Sequence, residues 1–91
     1  MIRRAIVVEN KLGLHARPAA QLVRLTSRFS SDIHLAREGV PEAIDSKSIL
    51  GVLMLAAAQG THLIATISGP DEIEAGEAIG QLFAAKFGEE S

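Results

Sequence analysis

The sequence predicts an α+β fold: a two-layer sandwich with a four-stranded, antiparallel or mixed sheet under helices on one face. Three observations predict it. Apolar periodicity alternates along the chain in the order β-α-β-β-α-β-α. The stretch from Asp32 to Asp45 holds two strand-like runs around Gly39 and reads as a hairpin, whereas the other strands are separated by helices. The chain has 91 residues, enough for one small core, so residues 1–91 are expected to form a single domain.

Ile2 to Glu9 reads as a strand with Ile2, Ile6 and Val8 on one face, which Arg4 shares near the open end. Asn10 to Leu14 is a loop, with Gly13 at the change of direction. Ala16 to Arg28 reads as a helix: Ala19, Leu22, Val23 and Thr26 follow the helical period, and Phe29 extends it. The opposite stripe is Arg17, Gln21, Arg24 and Arg28, which is either a solvated face or a docking surface for an acidic partner. Asp32 to Glu38 is a second strand with Ile33 and Leu35 inward and His34 outward. Val40 to Asp45 is a third, placed at an edge because Pro41 cannot donate a ladder bond.

Ser48 is a sound N-cap for a helix running from Ile49 to Ala58 and stopping at Gln59-Gly60. That run is apolar all round, so Ile49, Leu50 and Leu53 are expected to be exposed in part. They form either a partner site or ordinary surface leucine of a small sheet protein. Thr61 to Ser68 is the fourth strand, with Leu63, Ala65 and Ile67 inward and His62 outward. The last helix starts at Pro70, and Asp71, Glu72 and Glu74 suit its dipole. Its inner stripe is Ala75, Ala78, Ile79, Leu82, Phe83 and Lys86. Gly76 and Gly80 weaken the helix and suggest a close approach to the sheet. Gly88 to Ser91 reads as a frayed polar tail.

Composition narrows the function. There is no cysteine, which excludes disulfides and thiolate metal sites and is compatible with a reducing cytoplasm. A formal net charge of -2 and only three aromatic residues, all Phe, argue against nucleic-acid binding. No apolar run approaches the roughly 18 residues of a membrane span. Met1 to Arg4 is basic, but Ala5 to Val8 is too short for a signal peptide. No second ligand lies at a useful spacing from any histidine, so neither a metal nor another cofactor is expected.

The chemistry concentrates in Gly13-Leu14-His15-Ala16-Arg17-Pro18-Ala19-Ala20. With His15 capping the helix, the amides of Ala16 and Arg17 lack intrahelical partners, and Pro18 sits where its missing amide costs little. Free amides, the positive end of the dipole and the Arg17 guanidinium make an anion site. His15 has three readings: a buried structural histidine, a metal ligand, or a covalent nucleophile. A helix start beside a glycine loop is normally exposed and no second ligand is near, so the nucleophile fits best. The dipole and Arg17 favour a neutral, nucleophilic ring, and the same groups would then stabilise a phosphoryl group on it.

The sequence resembles the HPr family, the histidine-containing phosphocarriers of the bacterial phosphotransferase system, over its whole length. Two motifs carry the resemblance: Gly13-Leu14-His15-Ala16-Arg17-Pro18-Ala19, and Ser46-Lys47-Ser48-Ile49-Leu50-Gly51-Val52-Leu53-Met54-Leu55. It implies an open-faced sandwich of four antiparallel strands with three helices on one face. It implies that His15 takes a phosphoryl group on Nδ1 from phosphorylated enzyme I and passes it to a histidine of an enzyme IIA domain. Arg17 matches the arginine that contacts the phosphoryl group, with the amides of Ala16 and Arg17 beside it. Ser48 matches the serine modified by HPr kinase/phosphorylase, and Ser46 is its neighbour and competitor. Ala20, Arg24, Ile49, Leu50 and Leu53 match the docking face. The resemblance implies a cytoplasmic monomer, a carrier of the transferase class rather than a turnover enzyme. It admits HPr kinase/phosphorylase and transcription regulators as further partners, with no nucleic acid and no membrane.

Asn10 to His15, Ser68 to Glu72 and the Phe87-Gly88-Glu89-Glu90 ending are similar to the nitrogen-related branch of that family, whereas Ser46 to Gly51 is similar to the kinase-regulated carriers. The runner-up reading is accordingly a regulatory binding module or transcription co-effector switched at Ser48.

Overall fold

The computed structural model describes residues 1–89. Its elements are β1 (Ile2–Val7), α1 (Ala16–Thr26), β2 (Asp32–Arg37), β3 (Ile44–Asp45), α2 (Ile49–Met54), β4 (His62–Ser68) and α3 (Glu72–Ala84), followed by a 3-10 turn at Lys86–Gly88. The strands lie in the order β1-β4-β2-β3, and every neighbouring pair is antiparallel. The α+β open-faced sandwich is therefore the observed architecture.

Strand alternation decides which face is buried. Ile6 pairs with Leu63, and Leu35 and Ile33 pair with Ala65 and Ile67. All six are buried, and they meet Ala19 and Leu22 of α1, Val52 of α2, and Ala75, Ile79 and Phe83 of α3 in one core. His34 and His62 alternate to the open face and are exposed, as their outward assignment requires.

Several boundaries differ from the sequence reading. The third strand is not Val40 to Asp45 but Ile44–Asp45 alone. Val40, Pro41, Glu42 and Ala43 are exposed, and none buries enough apolar surface to hold an edge segment against the sheet. The edge position itself is as expected. α1 stops at Thr26, where the hydroxyl turns inward to the Ser46 carbonyl at 2.9 Å. α2 stops at Met54 instead of Ala58. Ala56 takes φ 47°, and the Arg37 guanidinium donates to the carbonyls of Leu55 and Ala56 at 2.7 and 2.9 Å. A long cation from the sheet thus satisfies helix-end carbonyls that more helix would have consumed. Beyond the turn, Ala57 is buried. The apolar run is therefore a short helix, which buries Val52 and exposes Ile49, Leu50, Leu53 and Met54, and then a loop that turns Leu55 and Ala57 inward.

Pro70 stands before α3 rather than at its first position, and Asp71 is the capping residue. The Asp71 carboxylate accepts from the Ser30 and Ser31 amides, each at 2.9 Å, and from the Ser31 hydroxyl. It ties the start of α3 to the loop after α1. Gly76 and Gly80 do allow a close approach, and the visitor is β1. A Cβ at Gly76 would lie 2.9 Å from Ile2 Cδ1, and one at Gly80 would lie 2.3 Å from Arg4 Nη2. Lys86, assigned to the helix stripe, instead opens the 3-10 turn at φ 55°. Phe87 then packs edge-on against Phe83, with ring centroids 4.8 Å apart. That contact turns the tail back across the molecule. Gly88 to Glu89 is consequently not frayed, while Glu90 and Ser91 lie outside the described residues.

Candidate functional site

The loop after β1 is built to present one side chain. Asn10 is fully buried, and its Nδ2 donates to the Gly13 carbonyl at 2.7 Å. Gly13 has φ 69°, and a Cβ there would sit 2.4 Å from the Ala57 carbonyl oxygen. Only glycine permits both the backbone conformation and that approach. The next amide, Leu14 N–H, donates to the same Ala57 oxygen at 2.9 Å, and the Leu14 side chain is buried. The residue after this anchored pair is His15.

His15 caps α1 in extended conformation, and its side chain makes no capping bond. The first intrahelical amide is Ala19, bonded to the His15 carbonyl at 2.9 Å. Pro18 has no N–H. The donors left over at the helix end are the amides of Ala16 and Arg17, both on exposed residues. α1 has no acidic residue of its own in its first turn. Pro18 and Ala19 are buried and root the helix start.

The imidazole is partly exposed, at 37% of its side-chain surface, and its Nε2 lies 3.0 Å from Glu89 Oε2. Among the described residues this is the ring's hydrogen bond, so Nδ1 carries none. Glu89 Oε1 accepts from Asn10 Nδ2 at 2.9 Å. That bond, with further help from His15 and Arg17 and against the opposing effect of burial, holds the Glu89 carboxyl below its ordinary range. Sequence reasoning counted only positive groups around the ring and missed both partners. Asn10, three residues before the loop glycine, carried a weak signal as a loop-forming side chain. Glu89, 74 positions from His15, carried none.

The other sequence candidates fall into two groups. Ala20 is half-buried and Arg24 is exposed on α1. α2 packs beside α1, and its Ile49, Leu50 and Leu53 are exposed at 43%, 66% and 40%. Ser46 and Ser48 separate sharply. Ser46 is fully buried, its hydroxyl donating to the Ile33 carbonyl at 2.9 Å. Ser48 is exposed and caps α2, its Oγ accepting from the Gly51 amide at 3.1 Å. Among the described residues, no three His, Cys, Asp or Glu side chains could hold a metal ion, and no helix is long and apolar enough to cross a membrane.

A partly exposed imidazole with one bare nitrogen, at the unbonded amide end of a helix, is what reversible phosphorylation of a ring nitrogen needs. Comparison with known proteins points the same way. A family model described as the PTS HPr component phosphorylation site matches residues 2–85. The chain is 45% identical over 89 residues to the phosphocarrier protein HPr of Cupriavidus necator, covering 98% of each. It is 42% identical over 88 residues to the phosphocarrier protein NPr of Proteus mirabilis, covering 96% of each. The structure of an HPr from Thermoanaerobacter tengcongensis matches with a TM-score of 0.93 at 41% identity, over 100% of both chains. The chain belongs to the HPr family of phosphotransferase-system phosphocarriers.

Proposed function

We propose that this phosphocarrier works through His15, whose Nδ1 takes a phosphoryl group from phosphorylated enzyme I and delivers it to a histidine of an enzyme IIA domain. The observation that carries the reading is the free Nδ1 at the start of α1, beside two amides without intrahelical partners. The Nδ1 lone pair forms the new N–P bond, and the donor's bond to phosphorus breaks with its electron pair staying on the donor. Negative charge on the equatorial oxygens is met by the Ala16 and Arg17 amides and by the Arg17 guanidinium. The same groups support the return step, so the carrier is modified once per cycle and needs no cofactor of its own.

Docking is assigned to the face that joins the two helices. Ala20 and Arg24 belong to α1, and the exposed Ile49, Leu50 and Leu53 belong to α2, which packs against α1. A partner with an acidic rim and an apolar centre suits that surface. Ser48 is the regulatory serine, because its hydroxyl is exposed where that of Ser46 is buried. A phosphate on Ser48 adds up to two negative charges beside the docking face. An HPr kinase/phosphorylase is the matching modifier, and transcription regulators are further partners of the same face. The carrier acts as a monomer in the cytoplasm, so that one His15 serves donor and acceptor in turn.

The test is phosphoenolpyruvate-dependent labelling with magnesium and enzyme I, read by intact mass and phosphorus NMR. Wild-type protein should gain one acid-labile phosphoryl group, and His15→Ala should gain none while keeping its fold. Labelling retained in His15→Ala sinks the assignment.

A further inference from the structure

The imidazole of His15 belongs to a chain of three side chains. The Asn10 amide nitrogen serves two acceptors at once, the Gly13 carbonyl at 2.7 Å and Glu89 Oε1 at 2.9 Å. Two acceptors on one side of the amide fix which end is NH2. This orientation leaves Asn10 Oδ1 buried with no partner among the described residues. An unsatisfied buried acceptor is costly, so something must favour the arrangement, and the carboxylate it serves is the obvious beneficiary. Glu89 Oε2 in turn meets His15 Nε2 at 3.0 Å, with the Glu89 side chain only 17% exposed. The buried Phe87, packed on Phe83, fixes the turn that delivers Glu89. Glu89 also lies beyond residues 2–85, which the family model matches.

We propose that Glu89, aimed by Asn10, is a positioning residue that locks His15 as the Nε2–H tautomer and so leaves the Nδ1 lone pair as the nucleophile. The inference rests on His15 being the phosphoryl acceptor. An ionised carboxylate only accepts, so the ring nitrogen facing it must carry the proton. A neutral imidazole has one N–H, and with that proton on Nε2, Nδ1 is bare. In the transfer step the Nδ1 pair bonds to phosphorus, the donor's bond breaks, and the Nε2 proton stays where it is. The ring becomes cationic, and the carboxylate beside Nε2 offsets that charge, as the aspartate of a carboxylate–histidine pair does in acyl transfer. Delivery to the acceptor reverses each change. Among the described residues neither the Ala16 and Arg17 amides nor the Arg17 guanidinium hydrogen-bonds the ring, so Glu89 is the group that distinguishes its two nitrogens.

The test uses full-length protein, labelled with nitrogen-15, as wild type, Glu89→Gln and Glu89→Ala. Ring nitrogen shifts of His15 at neutral pH report the tautomer, and rapid-quench transfer from phosphorylated enzyme I reports the rate. Circular dichroism checks folding, and both variants leave the core untouched. Wild type should show the proton on Nε2. Glu89→Ala should show a mixed tautomer and transfer roughly tenfold more slowly, by analogy with losing the partner of a metal-bound histidine. Glu89→Gln should also slow transfer, because its amide presents a donor either to Asn10 or to Nε2. A wild-type ring protonated on Nδ1, or variants with wild-type shifts and rates, overturns the proposal. A wild type that takes no phosphoryl group overturns the acceptor reading and the transfer role with it. The nitrogen shifts then still decide the tautomer.

Discussion

Gly13 and Ala57, 44 positions apart in the chain, approach so closely that the Ala57 carbonyl oxygen occupies space a β-carbon on Gly13 would need. This contact joins the loop that carries His15 to the loop that ends α2. Gly13→Ala meets both a left-handed backbone at φ 69° and a fixed carbonyl. It should cost about 2–4 kcal/mol in urea unfolding. Transfer at His15 should slow as well, because the ring follows the loop. An unchanged midpoint and rate would show the loop to be far softer than its packing indicates.

Arg17 is exposed and brings its charge to the unbonded end of α1. Arg17→Ala should therefore leave stability nearly unchanged and act on the transition state. The expected loss is about 2–4 kcal/mol in transfer, read by rapid mixing with phosphorylated enzyme I. A wild-type rate removes Arg17 from the mechanism.

The two serines should respond in opposite ways. Ser46→Ala removes a buried bond to the Ile33 carbonyl and should cost about 1–3 kcal/mol of stability, with little direct effect on partner affinity. Ser48→Asp keeps an acceptor at the α2 cap but places charge beside Ile49 and Leu50. Calorimetry with enzyme I should show weaker binding for Ser48→Asp than for Ser48→Ala. Equal affinities would discard the charge-repulsion account.

Acid should loosen the start of α3. The Ser31 hydroxyl, then the Ser30 and Ser31 amides, hold the Asp71 carboxyl below its ordinary range. A depressed carboxyl contributes stability that is complete above its unfolded pKa and is lost as pH falls through the folded one. The contribution should thus be full at neutral pH and decline below about pH 4. Asp71→Asn should be less stable than wild type at pH 7, with the gap closing as acid is added. A gap that stays constant with pH would mean another carboxylate governs the acid limb.

Gly80 is a place where stability can be gained. Its obstruction is the far end of the Arg4 side chain, which is exposed and free to swing away. Gly80→Ala should raise stability by up to about 1 kcal/mol, the helix-interior difference between the two residues. A lower unfolding midpoint would mean that Arg4 lying over α3 matters more than the propensity gained.

The sequence was most legible where the signal is local. The strand alternation around Ile33, Leu35, Leu63, Ala65 and Ile67 fixes which face is buried, since period two leaves no choice. The placement of His15 before Ala16, Arg17 and Pro18 specifies an anion-ready helix start, because the donors at issue are those of the next two residues. It was least legible where one element borrows from another. α2 ends early because Arg37, a strand residue, reaches its carbonyls. Ser46 and Ser48 look alike in sequence, and only packing against Ile33 and Thr26 hides one of them. The identity of the nucleophilic nitrogen turns on Glu89, which reaches His15 only because Phe87 on Phe83 folds the tail back. Periodicity and capping act within a few residues and can be read along a chain. The partner that orients a ring nitrogen is set by distance in space, and the tertiary fold alone decides it.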